Sequence, residues 1–255
     1  MFAVLTVAPT GKKRIKRGRG IGEIKEYSLP KGRFYTVELF DSKRGVRLDD
    51  AAKFLGKYKN RVVPDNQLII PKDSDIIPLS PDNFFNTLLI NTACNILSQA
   101  HSGDECLRCI ITDKYGKYIS KLPMLAKYAE HLTVITDNDE YKAKADEIYR
   151  QTGATIAVTK RLNKPWDGLI VDTDCISDCE RALSKNAIRP FCVNFYDNIK
   201  ALCPKNVDEL MFLAAVFEFC PDMGLGEAEC SLLQYKDKIM TPFSLISQIS
   251  TTKAI

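Results

Sequence analysis

The chain has 255 residues, 45% hydrophobic and 27% charged, with a formal net charge of +4. That length buries the core of one large or two small domains. The composition excludes a disordered or fibrous chain, and no apolar run reaches the roughly 18 residues that span a bilayer.

In chain order, "FAVLTV" (2–7) reads as a first strand. No basic residues precede it, so it is not expected to be a signal peptide, and a cytoplasmic protein is expected. "GKKRIKRGRGIG" (11–22) follows, with six Lys or Arg and four Gly. It lacks the Gly-Lys-Ser/Thr of a phosphate-binding loop and has no interleaved aromatics for base stacking. It reads as a solvated hairpin loop. Lys12, Lys13, Arg14, Lys16, Arg17 and Arg19 are candidate contacts for an acidic macromolecular partner, with nucleic acid the less favoured kind. Residues 1–60 hold 15 Lys and Arg against 6 Asp and Glu, whereas the remainder holds 21 against 26. This split predicts two functional surfaces.

"IGEIKEYSL" and "GRFYTVELF" form a predicted strand pair turning at "LPKG". Tyr35, Val37 and Leu39 alternate with Phe34, Thr36 and Glu38. Asp49 or Asp50 is placed to cap a short helix over "AAKFLGKYK", and "NQLIIP" (66–71) reads as a strand. A longer helix follows over 80–100, with Ser80 as N-cap and Pro81 at the first helical position.

From Cys106 onward, short apolar runs alternate with helical stretches. The runs are 109–113, 132–137, 154–159, 168–174 and 191–195. Such alternation predicts a parallel sheet with helical crossovers. Pro123 interrupts the first helical stretch, and Gly153 is a C-cap signal for the second. "NVDELMFLAAVFEF" (206–219) is apolar nearly all round and reads as a buried helix, and the segment after Pro221 as a poorly patterned tail. The expected fold is α/β, a Rossmann-like parallel sheet with a smaller β-rich N-terminal lobe. The expected boundaries are 1–79 for that lobe, 80–103 for a connecting helix, 104–220 for the α/β domain and 221–255 for the tail.

Polar residues cluster at the carboxyl ends of the predicted strands: Thr112 and Asp113, Thr136 and Asp137, Thr159 with Lys160 and Arg161, Asp172 with Thr173 and Asp174, then Asn194. Open α/β sheets bind ligands at such ends, although Asp, Thr and Asn there also cap helices. "CIITDKYGKYISKL" followed by Asp137 resembles the first βα turn and ribose-binding acid of Rossmann-type dinucleotide-binding domains of dehydrogenases. Gly116 matches the second glycine of the family's G-x-G-x-x-G. Lys114 and Ile119 replace the first and third, and Asp137 stands 21 residues after Gly116. The resemblance covers residues 109–195. It implies NAD(P) or another nucleotide at Asp113, Lys114, Gly116, Asp137 and Asp172, with the incomplete glycine motif holding a pyrophosphate farther from the backbone.

Other constellations compete. "GLIVDTDCI" resembles the nucleophile strand of haloacid-dehalogenase-type phosphatases, which would make Asp172 a nucleophile and Asp174 a general acid, but Ile176 stands where the pattern needs Thr or Val. Cys106 with Cys109 and Cys175 with Cys179 have spacings that a zinc site uses, although buried thiols are the favoured reading and no metal is expected. Histidine is confined to His101 and His131, so a His-based catalyst is not expected and no catalytic residue is assigned. Asp113, Lys114 and Lys117 are the nearest candidates for proton transfer. Trp166 sits in a turn, "NKPWDG", where plugging the end of the sheet is favoured over a partner contact. The leading functional expectation is a degenerate dehydrogenase-like domain binding a nucleotide or small anionic metabolite. The alternative is a non-catalytic interaction or scaffold protein using the basic loop.

Overall fold

The structure is a computed structural model. It describes residues 1–8, 20–40, 46–103, 107–161, 168–173, 187–193 and 197–252. The basic segment Lys12–Arg19 lies outside the described residues, as do Cys106, Trp166, Asp174, Cys175, Ile176, Cys179 and Asn194.

The chain forms two compact units, 1–84 with 195–226, and 85–194 with 227–255. The expected boundaries at 104 and 220 lie elsewhere in the chain than the divisions between these units. The chain leaves the α/β unit after 194, completes the first unit, and returns at 227.

The first unit contains β1 (Phe2–Val7), β2 (Ile21–Leu29), β3 (Gly32–Leu39), α1 (Leu48–Leu55) and β4 (Val62–Pro64). The sheet order is β2-β3-β1-β4, with β2 antiparallel to β3 and the other pairs parallel. As expected, β2 and β3 turn through Pro30 and Lys31, with Leu29 opposite Gly32. Val37 and Leu39 join Leu5, Ala51, Leu55 and Ile76 in one core cluster. Phe34, on the opposite face of β3, is also wholly buried, and stacks on Phe2 at 5.2 Å and on Tyr27 at 5.0 Å.

The strand expected over 66–71 does not form. The backbone N–H of Asp65 bonds to the Leu5 carbonyl, and its buried carboxylate accepts from the N–H groups of Val7 (2.9 Å) and Gln67 (2.7 Å). These bonds turn the chain just after β4 and leave Ile69 exposed. Asp49 and Asp50 lie in the first turn of α1, where they complement the helix dipole, and Asp50 accepts from Gly20 N–H at 3.0 Å.

Helix α2 (Asp82–Ser102) follows, with Ser80 Oγ accepting from Asp82 N–H. The second unit then contributes β5 (Arg108–Thr112), α3 (Leu122–Tyr128), β6 (His131–Ile135), α4 (Glu140–Thr152), β7 (Ile156–Thr159), β8 (Leu169–Asp172) and β9 (Arg189–Val193). Helix α3 starts late, after a 3-10 turn at Ile119–Lys121, with Pro123 in its first turn where a missing N–H does no harm. Helix α4 ends at Gly153, whose φ of +75° makes the expected left-handed cap.

Strands β5 to β8 form an all-parallel sheet in the order β7-β6-β5-β8. Counted along the chain this is third, second, first, fourth, the order of a Rossmann-like half-sheet. Strands β5, β6 and β8 are buried apolar runs, as parallel strands covered on both faces must be, and the edge strand β7 is half-buried. The order reverses between β5 and β8, where the crevice of such a fold opens.

Two expectations fail here. The 191–195 strand does not join the parallel sheet: β9 pairs antiparallel with β10 (Cys230–Tyr235), which pairs with β11 (Lys238–Met240). The segment after Pro221 is ordered into these strands and a C-terminal helix, α7 (Pro242–Thr252), whose Leu245, Ile246 and Ile249 are buried. The β10–β11 turn uses Lys236 and Asp237 at positive φ, without the glycine that marks such turns in sequence. A short turn, α5 (Asp197–Lys200), and α6 (Glu209–Phe219) complete the first unit. Asp208 caps α6 by accepting from Met211 N–H at 2.9 Å, and Phe212 packs edge-on to Phe34 at 5.1 Å.

Candidate functional site

The carboxyl edge of the parallel sheet brings the polar strand ends into register. Thr159 pairs with Ile135, Ile135 with Thr112, and Thr112 with Asp172. One residue farther on, Thr136 N–H bonds to the Thr159 carbonyl and Asp113 N–H to the Ile135 carbonyl.

Between the ends of β6 and β7 lies a cleft of about 440 Å³, bordered by Thr136–Asp139, Lys142 and Val158–Arg161. Its charges are paired in part. Asp137 faces Lys160 at 3.6 Å, and Asp139 faces Lys142 at 2.8 Å. The hydrogen bond from Lys142 and its charge hold the Asp139 carboxyl below its ordinary range. The guanidinium of Arg161 adds a fifth charge, so the cleft carries a net +1. The local backbone is braced. Thr136 Oγ1 donates to the Asp113 carbonyl and accepts from Asn138 N–H, and Asn138 Oδ1 accepts from Glu140 N–H at the start of α4. Such a site can hold a small ligand that presents hydroxyl or ammonium donors to the carboxylates and one anionic group to the cations.

The five predicted cofactor residues take different places. Asp137 lines the cleft and is exposed. Gly116, at φ +75°, lies against Asn138, so the first βα turn adjoins the β6 loop. Lys114 is exposed, and both it and Lys117 approach the ring of exposed Tyr115, at 5.7 and 5.8 Å. Asp172 ends β8 and accepts from Thr112 Oγ1 at 2.7 Å. Thr112 Oγ1 also accepts from Thr173 N–H, whose hydroxyl donates to the Thr112 carbonyl, while Asn86 donates to the Thr173 carbonyl. Asp113 is wholly buried. Its two carboxylate oxygens accept from the N–H groups of Lys117 (3.2 Å) and Tyr118 (2.8 Å), and the Tyr141 hydroxyl donates to it as well.

Asp139, Lys142 and the Asn138 brace were not singled out from the sequence, although "DNDEYK" carries their i,i+3 charge spacing at a helix start. The role of Tyr141 had no local signal, because its partner stands 28 positions earlier. A second opening of about 470 Å³, bordered by Arg108, His131 and Thr155, lies at the amino end of the sheet. It is slightly larger, but α/β sheets carry their ligands at the carboxyl end, so chemistry favours the first. Among the described residues no group of three His, Cys, Asp or Glu side chains is placed to hold a metal. Cys109 is buried, and burial pushes its thiol far up. No described helix is long and apolar enough to cross a membrane.

No protein-family model matches the chain, and no curated protein is similar to it in sequence. Among solved structures, the L-tryptophan dehydrogenase from Nostoc punctiforme aligns over 87% of this chain and 68% of its own, at 11% identity and a TM-score of 0.31. A likeness that low carries no argument about function. The fold class rests on the strand order and pairing described above.

Proposed function

We propose that the protein binds a nucleotide or small anionic metabolite in the cleft between the β6 and β7 ends. The observation that supports this reading is the convergence there of Asp137 and Asp139 with Lys142, Lys160 and Arg161. In this arrangement Asp137 accepts from ligand hydroxyls, and Lys160 with Arg161 receives the anionic group. The reading is one of binding, and no reaction is assigned. A thermal-shift series with AMP, ATP, NAD, NADP and S-adenosylmethionine tests it. At least one should raise the melting temperature, because a ligand at about 100 times its Kd stabilises the folded state by about 2.7 kcal/mol. No response to any of them at millimolar concentration overturns the reading.

A second reading rests on the balance of +9 in residues 1–60 (15 Lys and Arg against 6 Asp and Glu). In it, Lys12, Lys13, Arg14, Lys16, Arg17 and Arg19 contact an acidic macromolecular partner. Capture of an acidic partner that persists after all six cations are neutralised sinks this second reading.

A further inference from the structure

The first βα turn of the parallel sheet carries its own anion. In α/β nucleotide folds the backbone N–H groups of that turn seat ligand phosphates. Here the N–H groups of Lys117 and Tyr118 donate to the carboxylate of Asp113, at 3.2 and 2.8 Å. The hydroxyl of Tyr141 donates to the same carboxylate, and the Asp113 carbonyl accepts from Thr136 Oγ1 at 2.7 Å. Across the point where the strand order reverses, Thr112 is joined to Asp172 at 2.7 Å and to Thr173 N–H at 3.0 Å. The two strand ends that flank a dinucleotide in such folds are thus bonded to each other through their side chains.

We infer that Asp113 is a specificity-determining residue. Its carboxylate fills the phosphate position of the first turn, which excludes ligands that must lay a diphosphate across β5. Ligands with a single anionic group, seated at Lys160 and Arg161, are accepted. The inference rests on the cleft reading above and names its class as mononucleotides or similar monophosphates rather than dinucleotides. The physical reason is twofold. A diphosphate at the turn would meet a buried like charge, and the amides it needs are already bonded.

The test uses amide-resolved NMR on the full chain. In the wild type, millimolar inorganic pyrophosphate should leave the Lys117 and Tyr118 amides unmoved. In Asp113→Ala these two amides should exchange about tenfold faster, the equivalent of one lost hydrogen bond, and pyrophosphate should restore their protection. Pyrophosphate shifting either amide in the wild type overturns the inference. So does its failure to restore protection in the folded variant. Should the variant not fold, the wild type decides: AMP must bind more tightly than NAD, and the reverse order overturns the inference. The cleft reading fails separately, when AMP moves no amide of 137–139 or 160–161. The Asp113 assignment then still stands or falls on the pyrophosphate arms.

Discussion

Gly116 and Gly153 share a backbone conformation and differ in their surroundings, which makes them a matched pair. Both have φ +75°. A Cβ on Gly153 would meet nothing within 4 Å, whereas one on Gly116 would overlap Asn138 Nδ2 and press on Ile119 Cδ1 at 3.1 Å. The left-handed conformation alone costs an L side chain about 1 kcal/mol. Gly153→Ala should therefore destabilise the second unit by about 1 kcal/mol. Gly116→Ala incurs the same strain and also displaces Asn138, whose Oδ1 bonds to Glu140 N–H at 2.9 Å. Losing that bond and pressing on Ile119 together add about 1–2 kcal/mol, for a total of about 2–3 kcal/mol. At about 2–4 °C per kcal/mol, the melting temperature should fall by about 2–4 °C in Gly153→Ala and by about 4–12 °C in Gly116→Ala. Urea unfolding followed by circular dichroism measures both free energies. Costs for the two variants within about 0.5 kcal/mol of each other would refute the reasoning, since the packing of the first turn against the β6 loop would then contribute nothing.

Three further outcomes follow from the same structure. Lys160→Met should weaken AMP binding about tenfold in calorimetry and leave thermal stability within about 0.5 kcal/mol of wild type, because its pair with Asp137 is exposed. Tyr141→Phe keeps the buried ring but leaves the Asp113 carboxylate one donor short. Urea unfolding should show a loss of about 1–3 kcal/mol. Burial raises the thiols of Cys94 and Cys230 from an ordinary 9.0 to about 11. The folded-state values exceed the unfolded ones, so this contribution to stability is complete below pH 9 and is lost as the pH rises through 11. The Cys94→Ala, Cys230→Ala double variant should accordingly lose less stability than wild type between pH 9 and pH 11 in a denaturant series.

Local signals in the sequence determine a good part of this protein. The apolar runs of β5, β6 and β8 and their alternation with helices follow from burial on both faces of a parallel sheet. The Pro30–Lys31 turn, the glycine cap of α4 and the all-round apolar character of α6 come from backbone geometry or side-chain chemistry within a few residues. The polar strand ends, with Asp137, Lys160 and Arg161, are visible for the same reason. Tertiary structure decides what depends on distant partners. Asp65 ends β4 by reaching back to Val7, 58 positions away, and so leaves the apolar stretch at 66–71 without a sheet to join. Residues 189–193 leave the parallel sheet because β10, read in sequence as part of a tail, offers them an antiparallel edge. Asp113 has the sequence position of a ligand-facing residue, yet its carboxylate is bonded inside the turn because Tyr141 on α4 and the N–H groups of Lys117 and Tyr118 converge on it. A sequence places residues along strands and helices. Which hydrogen-bonding groups each one satisfies is settled once those elements are packed, since a buried carboxylate must find its donors wherever the fold supplies them.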